Sequence, residues 1–456
     1  MLSILKRALV IIGIISCMLC LQAIANTHSN GAHNFLVITD PHLNTTTHHH
    51  MDFNPTEKNT ANDLDSTTFD DLIGTIKSNI PSSIPQPEFI LLLGDVAQHD
   101  PNSRSETAAD AQAVFQKIQQ TFAPIPVLYI FGNNDSLDTH YGPFYATDAI
   151  GSWHSVYDIA TDAEATYRWE DGFLSTGTWC QTSANTYPCL IAEDKILGHY
   201  SVYLQSSLRF IGINSIVFAK DRQHLTEADA QTELTWISGQ LRDAANNHES
   251  ILLAIHIPLG LKLEDDKLQW DETDHASFLQ LVDSYKNNII GILAAHTHME
   301  ELKMLRTALH HNVMTMLNSP SLCTYSANAP AVKTYYYRQS NSNWELYNAD
   351  VFYISSNLSL TKLFDYNSYY CNDSSKNITD CLANMTLSQV NTHYNAGNNR
   401  YNPTLLYPDA LYIDLPAADS QSDSSNNLGT VAAVAAVAAV AGTTAITAHQ
   451  MTKAKK

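Results

Sequence analysis

Residues 289–298 read Ile-Ile-Gly-Ile-Leu-Ala-Ala-His-Thr-His, an apolar run that ends in two histidines. A short, continuous apolar run predicts a strand buried on both faces. Four earlier runs of this kind are also followed directly by polar residues, which are Asp40-Pro41-His42, Gly94-Asp95, Gly132-Asn133-Asn134-Asp135 and His256. An α/β protein builds its functional site where such strands end. The sequence therefore predicts one site assembled from five segments between residues 40 and 298.

The residue types in these segments are those of metal sites. They offer carboxylate oxygens, amide oxygens and imidazole nitrogens, and this mixture favours Zn²⁺, with Mn²⁺ or Fe as alternatives, over Ca²⁺. A single aspartate after a glycine, Asp95, is suited to bridging two ions. Two ions about 3.5–4 Å apart can activate a water and clamp an in-line phosphoryl displacement. We therefore expect two divalent metal ions as cofactors.

In this order the five segments resemble the motifs of the calcineurin-like metallophosphoesterase superfamily over residues 34–300. Residues 94–100, Gly-Asp-Val-Ala-Gln-His-Asp, further resemble the GDxxxHD form of the acid sphingomyelinase-like phosphodiesterases, and residues 198–202 and 256–260 resemble the same branch. The resemblance implies that one metal is held by Asp40, His42, Asp95 and His298. It implies that the second metal is held by Asp95, Asn133, His256 and His296.

The resemblance also implies a four-layer α/β/β/α sandwich, with two mixed sheets packed face to face and helices outside. The alternation of strand and helix patterns along the chain predicts a layered α/β fold by itself. Helical patterns cover residues 105–120, a stretch beginning at Thr226, and residues 274–287. His199 and His275 are interpreted as structural or exposed, and His48-His49-His50 as a solvated loop.

Two positions depart from the family pattern. Ala295 stands where the family's Gly-His-Thr-His has glycine, a small-for-small change. Asn134 replaces a histidine that is a proposed proton donor to the leaving group, and an asparagine amide cannot supply a proton at an accessible pKa. The same asparagine form resembles that of fungal endopolyphosphatases. The resemblance thus shifts the acid role to His99, so that His99 and Asn134 are the candidate catalytic residues.

These resemblances imply a binuclear phosphodiesterase in which a metal-bound hydroxide attacks phosphorus in line. The expected partner is a small phosphoester or a phospholipid head group, with phosphodiester or phosphoanhydride bonds as targets. One alternative is an endopolyphosphatase or a phosphomonoesterase with the same metals. Another is a catalytically weak, metal-stabilised binding protein, for which Asn134 is the supporting feature.

The net charge argues mildly against nucleic acid and long polyphosphate as partners. The chain carries 46 acidic and 25 basic residues, a formal net charge of −21. This field repels polyanions, although acidity also keeps an exported protein soluble. The sequence contains no basic stretch interleaved with aromatic residues, so nucleic acid is not an expected partner. The oligomeric state is not predicted.

The first 25 residues have the pattern of a signal peptide. Lys6-Arg7 precede an apolar core, and Ala23-Ile24-Ala25 offers a cleavage site. Residues 14–17, Ile-Ile-Ser-Cys, also resemble a bacterial lipobox, so lipoprotein processing is the alternative. Either route predicts export to the periplasm, the cell surface or the medium.

Export makes disulfides feasible, and five cysteines follow the signal peptide. Cys180 and Cys189, and likewise Cys371 and Cys381, are close enough in sequence to close short loops. Cys323 is then left over and is expected to be buried and inert. Connectivity itself cannot be deduced from the sequence.

Composition divides the chain further. The catalytic domain is assigned to residues 26–330, with a Tyr-, Gly- and Ser-rich insertion at 140–200 beside the site. Residues 331–415, rich in aromatic side chains and asparagine, are interpreted as late strands and a small accessory region. Residues 416–429 have linker composition, and 430–456 form an Ala/Val tail ending in lysines. The tail suits a membrane anchor or a surface or disordered segment.

Overall fold

The computed structural model describes residues 32–47, 63–146, 154–161, 169, 172–181, 185–324, 328–396 and 406–416. The predicted signal peptide, His48-His49-His50 and the Ala/Val tail lie outside these ranges. Within them, no helix combines the length and hydrophobicity needed to cross a bilayer.

One sheet has six strands in the order β13-β12-β11-β1-β2-β3. Its strands are β1 (Ala32–Ile38), β2 (Ile90–Leu92), β3 (Val127–Tyr129), β11 (Ala331–Ser340), β12 (Asn343–Ile354) and β13 (Leu360–Asp365). Strands β1, β2 and β3 run parallel, and β11 to β13 extend the sheet antiparallel from β1. Parallel strands are covered on both faces, which explains why the runs at residues 35 and 89 are apolar throughout rather than alternating.

The second sheet has eight strands in the order β14-β9-β10-β8-β7-β6-β5-β4. Its strands are β4 (Cys189–Asp194), β5 (His199–Gln205), β6 (Leu208–Gly212), β7 (Ser250–Ala254), β8 (Ile289–Ala294), β9 (Leu302–Arg306), β10 (Asn312–Asn318) and β14 (Tyr412–Asp414). The central strands β6, β7, β8 and β10 run parallel. The five sequence runs therefore form β1, β2, β3, β7 and β8, as predicted.

The two sheets pack face to face. A Cβ atom on Gly291 of β8 would stand 2.9 Å from Leu346 Cδ1 of β12, which shows how closely the two sheets approach here. Trp344 of β12 donates its backbone N–H to Ser250 Oγ of β7 at 3.0 Å. One core runs through both sheets and the helices that flank them. The predicted layered α/β sandwich is confirmed.

The helices are α1 (Ser66–Ser78), α2 (Arg104–Phe122), α3 (Val156–Thr161), α4 (Glu227–Asn246), α5 (Glu272–Tyr285), α6 (Tyr366–Tyr370), α7 (Ile378–Leu382) and α8 (Leu387–Ala396). The three predicted helices are α2, α4 and α5. Thr226 begins α4 through a reciprocal capping box with Asp229, which satisfies two backbone donors that the helix cannot pair. Leu234, Ile237 and Leu241 of this helix are buried at the predicted core spacing.

The region beyond residue 330 contributes directly to both sheets. Strands β11 to β13 form half of the first sheet, and β14 pairs with β9 in the second. The aromatic side chains here pack on one another, as where Phe364 stacks on His393 at 3.5 Å between ring centroids. Ordinary packing thus accounts for the contact of Phe364 with His393. The domain boundary at residue 330 stays a prediction.

Both short-range cysteine pairs form disulfides. Cys180 bonds to Cys189, the first residue of β4. Cys371, which directly follows α6, bonds to Cys381 in α7. Cys323 carries a thiol and is buried. Disulfides of this kind persist in oxidising compartments, which is consistent with an extracellular or lysosomal protein.

Candidate metal centre

The backbone is unusual at the ends of the site strands. Five of the predicted ligands have positive φ, at Asp40 (46°), His42 (42°), Asp95 (51°), His296 (71°) and His298 (63°). Side chains other than glycine rarely adopt this conformation, and it costs of order 1–3 kcal/mol per residue. The packing around each of these five residues therefore holds its backbone in this conformation and so fixes the direction of its side chain.

A first group of ligand atoms converges between β1, β2 and β8. The Nε2 atoms of His42 and His298 are 3.1 Å apart. His298 Nε2 lies 3.4 Å from Asp40 Oδ1, and His42 Nε2 lies 3.5 Å from Asp95 Oδ2. Four donor atoms from three strand ends therefore face a common point.

A second group lies on the other side of Asp95. His256 Nε2 is 3.2 Å from Asp95 Oδ2 and 3.1 Å from Asn133 Oδ1. Ligand atoms of Asp95, His256 and His296 all lie within 4.8 Å of one another. Asp95 Oδ2 thus belongs to both groups, and all seven predicted ligands meet at one edge of the two sheets.

Backbone carbonyls orient two of the imidazoles. His42 Nδ1 donates to the Ala97 carbonyl at 3.1 Å, and His256 Nδ1 donates to the Leu93 carbonyl at 2.9 Å. Because a carbonyl can only accept, Nδ1 carries a proton in both rings, and the neutral form of each ring presents the lone pair of Nε2 to the centre, as a metal ligand must. His298 Nδ1 instead lies 3.6 Å from Cys323 Sγ.

Asp135 holds two of the ligand loops together. Its carboxylate accepts from the backbone N–H of Asp95 at 3.0 Å, of Val96 at 2.7 Å and of Gly132 at 2.9 Å, and from the Tyr129 hydroxyl at 2.7 Å. These bonds tie the end of β2 to the end of β3. A Cβ on Gly132 would meet the backbone N of Asp95 at 2.1 Å, so this contact also requires glycine.

The two asparagines of the third segment have different partners. The backbone N–H of Asn134 donates to Asp95 Oδ1 and its Nδ2 donates to Asp95 Oδ2, both at 2.8 Å. Asn133 Nδ2 lies 2.9 Å from His140 Nε2, and burial lowers the pKa of His140, so the neutral ring accepts this bond. Asn134 therefore fixes the shared carboxylate, and His140 directs Asn133 Oδ1 toward His256.

His99 lies beside the first group of ligands. Its ring stacks on His42 with 3.7 Å between centroids, and its Nδ1 contacts Asp63 Oδ1 at 2.5 Å. Burial opposes the charged ring, but the Asp63 carboxylate outweighs it and raises the pKa of His99. A raised pKa favours the protonated ring, which is the form that a general acid requires.

The donor set fits a pair of divalent cations. Asp40 Oδ1 and His296 Nδ1 are buried and accept or donate no hydrogen bond within the described residues. Burial, opposed by His256 and aided by the neighbouring Asp95, raises the pKa of Asp40 to about 7, so the ionised form of this carboxylate needs a cation beside it. Burial also lowers the pKa of His42 and of His296 and keeps both rings neutral. A bound cation would neutralise the carboxylates and use the neutral nitrogens.

The centre opens into a cavity of about 520 Å³. Its floor contains Asp95, Asn133, His296 and His298, with His99 at one side. The rim residues are Lys220, Asp221, Lys262, Glu264, Asp265, Lys267, Leu268 and Gln269. A small phosphoester therefore has access to both groups of ligand atoms.

Several residues of the site carry no sequence signal of their own. Asp63 and His140 belong to no motif quoted above, and Tyr141, whose hydroxyl lies 3.4 Å from His296 Nε2, follows no strand. Asp135 could have been found, because it closes the Gly132–Asp135 segment, but its role as an acceptor for two loops is visible only in the fold.

Residues 33–300 match the family model described as calcineurin-like phosphoesterase. Sphingomyelin phosphodiesterase A of Dictyostelium discoideum is 25% identical over 287 residues, 58% of this chain and 42% of that protein. An endopolyphosphatase of Schizosaccharomyces pombe is 24% identical over 229 residues, 48% of this chain and 35% of that protein. Among solved structures, a dimetal phosphatase from Danio rerio superposes with a TM-score of 0.42 at 11% identity, covering 73% of this chain and 99% of that one.

The matches to these two curated relatives span less than half of their length. The family model, by contrast, covers more than half of this chain and includes every segment of the centre. The chain therefore belongs to the calcineurin-like phosphoesterase family.

Proposed function

We propose that the chain is a binuclear metal-dependent phosphodiesterase of the acid sphingomyelinase-like branch, exported from the cell. The proposed ligands are Asp40, His42, Asp95 and His298 for one ion and Asp95, Asn133, His256 and His296 for the other, with Zn²⁺ as the preferred metal. Its substrate is a small phosphodiester or phosphoanhydride, or the head group of a phospholipid.

One observation carries this proposal. Asp95 Oδ2 lies within 3.5 Å of ligand nitrogens from both groups, His42 on one side and His256 on the other. A single carboxylate oxygen between two sets of nitrogen and oxygen donors is the arrangement that two neighbouring cations need. When bound, such ions would lower the pKa of water and neutralise charge on the phosphoryl oxygens.

The residues of the chain supply positioning and the proton. Asn134 and Asp135 fix Asp95 and its loop, so the shared carboxylate keeps its direction when substrate enters. His99, held by Asp63, would donate the proton of its Nε2 to the leaving oxygen. His99 would thus make the proton donation that Asn134, which has no acidic proton, cannot make.

The first test compares substrates on the metal-loaded protein. After loading with Zn²⁺ or Mn²⁺, we expect turnover of bis(p-nitrophenyl) phosphate to exceed that of p-nitrophenyl phosphate. A panel of sphingomyelin, CDP-choline, ATP, a cyclic dinucleotide and polyphosphate, at acidic and neutral pH, then identifies the bond that is cleaved. Two bound ions with no turnover of any of these would favour the metal-stabilised binding protein.

The second test removes the shared carboxylate. Asp95→Asn should lower the bound metal below two ions per chain and abolish turnover, with the circular dichroism spectrum unchanged. The matched control is Asp70→Asn, because Asp70 is exposed and pairs with Lys117 on the surface. Two bound ions and full activity in Asp95→Asn would contradict the binuclear assignment.

A further inference from the structure

Two backbone segments form the rim of the cavity. Leu261 pairs antiparallel with Leu268, and the N–H of Lys262 donates to the carbonyl of Lys267 at 2.9 Å. Ala219 pairs antiparallel with Trp270 in the same way, and the N–H of Lys220 donates to the carbonyl of Gln269 at 2.9 Å. Three lysines are thereby fixed on adjacent extended segments, and Lys220, Lys262 and Lys267 all line the cavity.

Two of these lysines lie directly opposite each other on the hairpin. Lys262 and Lys267 are direct neighbours across the two arms of the hairpin, and like charges in this position are destabilising. Asp265 contacts Lys267 at 3.4 Å, but the Lys267 side chain is 76% exposed, so this pair is weak. Within the described residues, neither Lys262 nor Lys220 has a carboxylate oxygen within 4 Å.

The rim also carries three carboxylates, Asp221, Glu264 and Asp265, so its formal charges balance, and the ion pair described among them is that of Asp265 with Lys267. Glu264 accepts a hydrogen bond from the Tyr394 hydroxyl at 3.3 Å. The chain as a whole is strongly acidic, with 25 basic residues against 46 acidic ones, yet three lysines converge on one small opening. An anion between Lys262 and its neighbours would relieve their repulsion with charge-assisted hydrogen bonds.

The rim lies within reach of the metal centre. His296 and His298 line the same cavity as the lysines. A substrate whose scissile phosphate sits over Asp95 would extend toward Lys262.

We propose that Lys220, Lys262 and Lys267 form an anion subsite that binds a second phosphate group of the substrate, away from the scissile one. This subsite rests on the proposed phosphodiesterase function and narrows it to substrates that carry two phosphates. An ammonium at the rim binds a phosphate as a point charge and leaves the in-line geometry at the metals unchanged.

The test uses a matched pair of chromogenic diesters on the metal-loaded protein. Thymidine 5′-(p-nitrophenyl phosphate) is compared with the same compound bearing a 3′-phosphate, so that the scissile bond and leaving group are identical. The wild type should have a KM roughly 10-fold lower for the 3′-phosphorylated compound. Lys262→Gln should reduce that preference about 5-fold.

The control is Lys117→Gln, which removes one positive charge at the surface pair with Asp70, outside the cavity lining. It should keep the wild-type preference. Equal KM values for the two compounds in the wild type, or an equal preference in Lys262→Gln and Lys117→Gln, would overturn the subsite.

Failure of the proposed phosphodiesterase function would give a different experimental result. If the wild type turns over neither compound, the phosphodiesterase assignment fails. The subsite is then decided by calorimetry, from the Kd of thymidine 3′,5′-bisphosphate against that of thymidine 5′-monophosphate. A preference for the bisphosphate that Lys262→Gln removes supports the subsite, and equal affinities overturn it.

Discussion

Asn134 donates to both carboxylate oxygens of Asp95, through its backbone N–H to Oδ1 and through its side-chain Nδ2 to Oδ2, at 2.8 Å each. The residue that departs from the family pattern thus contacts the carboxylate on which both groups of ligands depend. Its amide supports a neighbour by hydrogen bonding, a task that needs no titratable proton.

We predict that Asn134→Ala lowers metal affinity about 10–100-fold, the usual effect of removing a group that orients a metal ligand. The reason is that Asp95 Oδ2 loses the donor that directs it. The measurement is competition for Zn²⁺ with a chromogenic chelator. Asn102→Ala, at an exposed asparagine that bonds Glu106, is the control and should bind as the wild type does. Unchanged affinity in Asn134→Ala would show that Asp95 needs no such support.

His99 gives a prediction about leaving groups. His99→Ala should lower kcat by roughly 10²–10⁴-fold on phosphodiesters with poor leaving groups, as expected when a general acid is removed. The loss should shrink for p-nitrophenyl esters, whose leaving group needs little protonation, and metal content should stay the same. Asp63→Asn should weaken the same dependence, because Asp63 holds the His99 ring.

The control for this series is Asn134→His in the His99→Ala background, which should recover part of the lost activity on poor leaving groups. An equal loss on good and poor leaving groups would assign His99 to substrate positioning instead. The acid would then have to be sought elsewhere around the cavity, with His140 the next histidine to test.

A buried ion pair should matter for stability. Lys333 Nζ of β11 donates to Glu300 Oε1 at 2.8 Å, to the Asn318 carbonyl at 2.8 Å and to the Tyr366 hydroxyl at 2.8 Å. Lys333→Met should lower the free energy of unfolding by about 3–5 kcal/mol, because it leaves the Glu300 charge buried without its partner. Urea unfolding measures the change.

The double variant Lys333→Met with Glu300→Gln is the control for that prediction. It removes both charges, so it should be more stable than Lys333→Met alone. If the double variant is less stable than the single one, Glu300 is not the source of the cost. His298 lies two residues before Glu300, so metal affinity should fall in parallel with stability in Lys333→Met.

A carboxylate that contacts both sheets should make stability depend on pH. Glu88 accepts from Tyr337 Oη at 2.7 Å and from Gln205 Nε2 at 2.9 Å, and lies 2.5 Å from His33 Nδ1. Burial opposes ionisation, but His33 and Tyr337 outweigh it and lower the pKa of Glu88 below 4.5. Its contribution is therefore complete above the unfolded pKa of about 4.5 and is lost as pH falls through the lower folded pKa.

We expect Glu88→Gln to be about 1.5–3 kcal/mol less stable than the wild type at pH 7, the value of hydrogen bonds to a charged group. The difference should shrink as pH falls below about 4.5 and through the lower folded pKa of Glu88. Urea unfolding at several pH values gives the comparison, with Glu106→Gln on the surface of α2 as the control. A constant difference across this range would mean that the ionised form of Glu88 is not what stabilises the fold.

The sequence by itself determined the strands and the end of each strand at which chemistry occurs. Apolar runs such as residues 35–38 can only be buried, because their side chains gain free energy on leaving water. A polar residue that follows directly, such as Asp40 or His256, must then lie where the strand leaves the core. Short cysteine separations made two small-loop disulfides feasible, and the structure shows that both form.

Only the tertiary structure decided which residues serve these ligands. Asp63 reaches His99 from 36 positions away, His140 reaches Asn133 across a turn, and Lys262 reaches the cavity from a hairpin. No periodic pattern in the sequence predicts these contacts, because each depends on where a loop crosses the edge of a sheet. The burial of a strand can be inferred from the residues of that strand alone. A hydrogen bond between two loops depends instead on their positions in the folded chain.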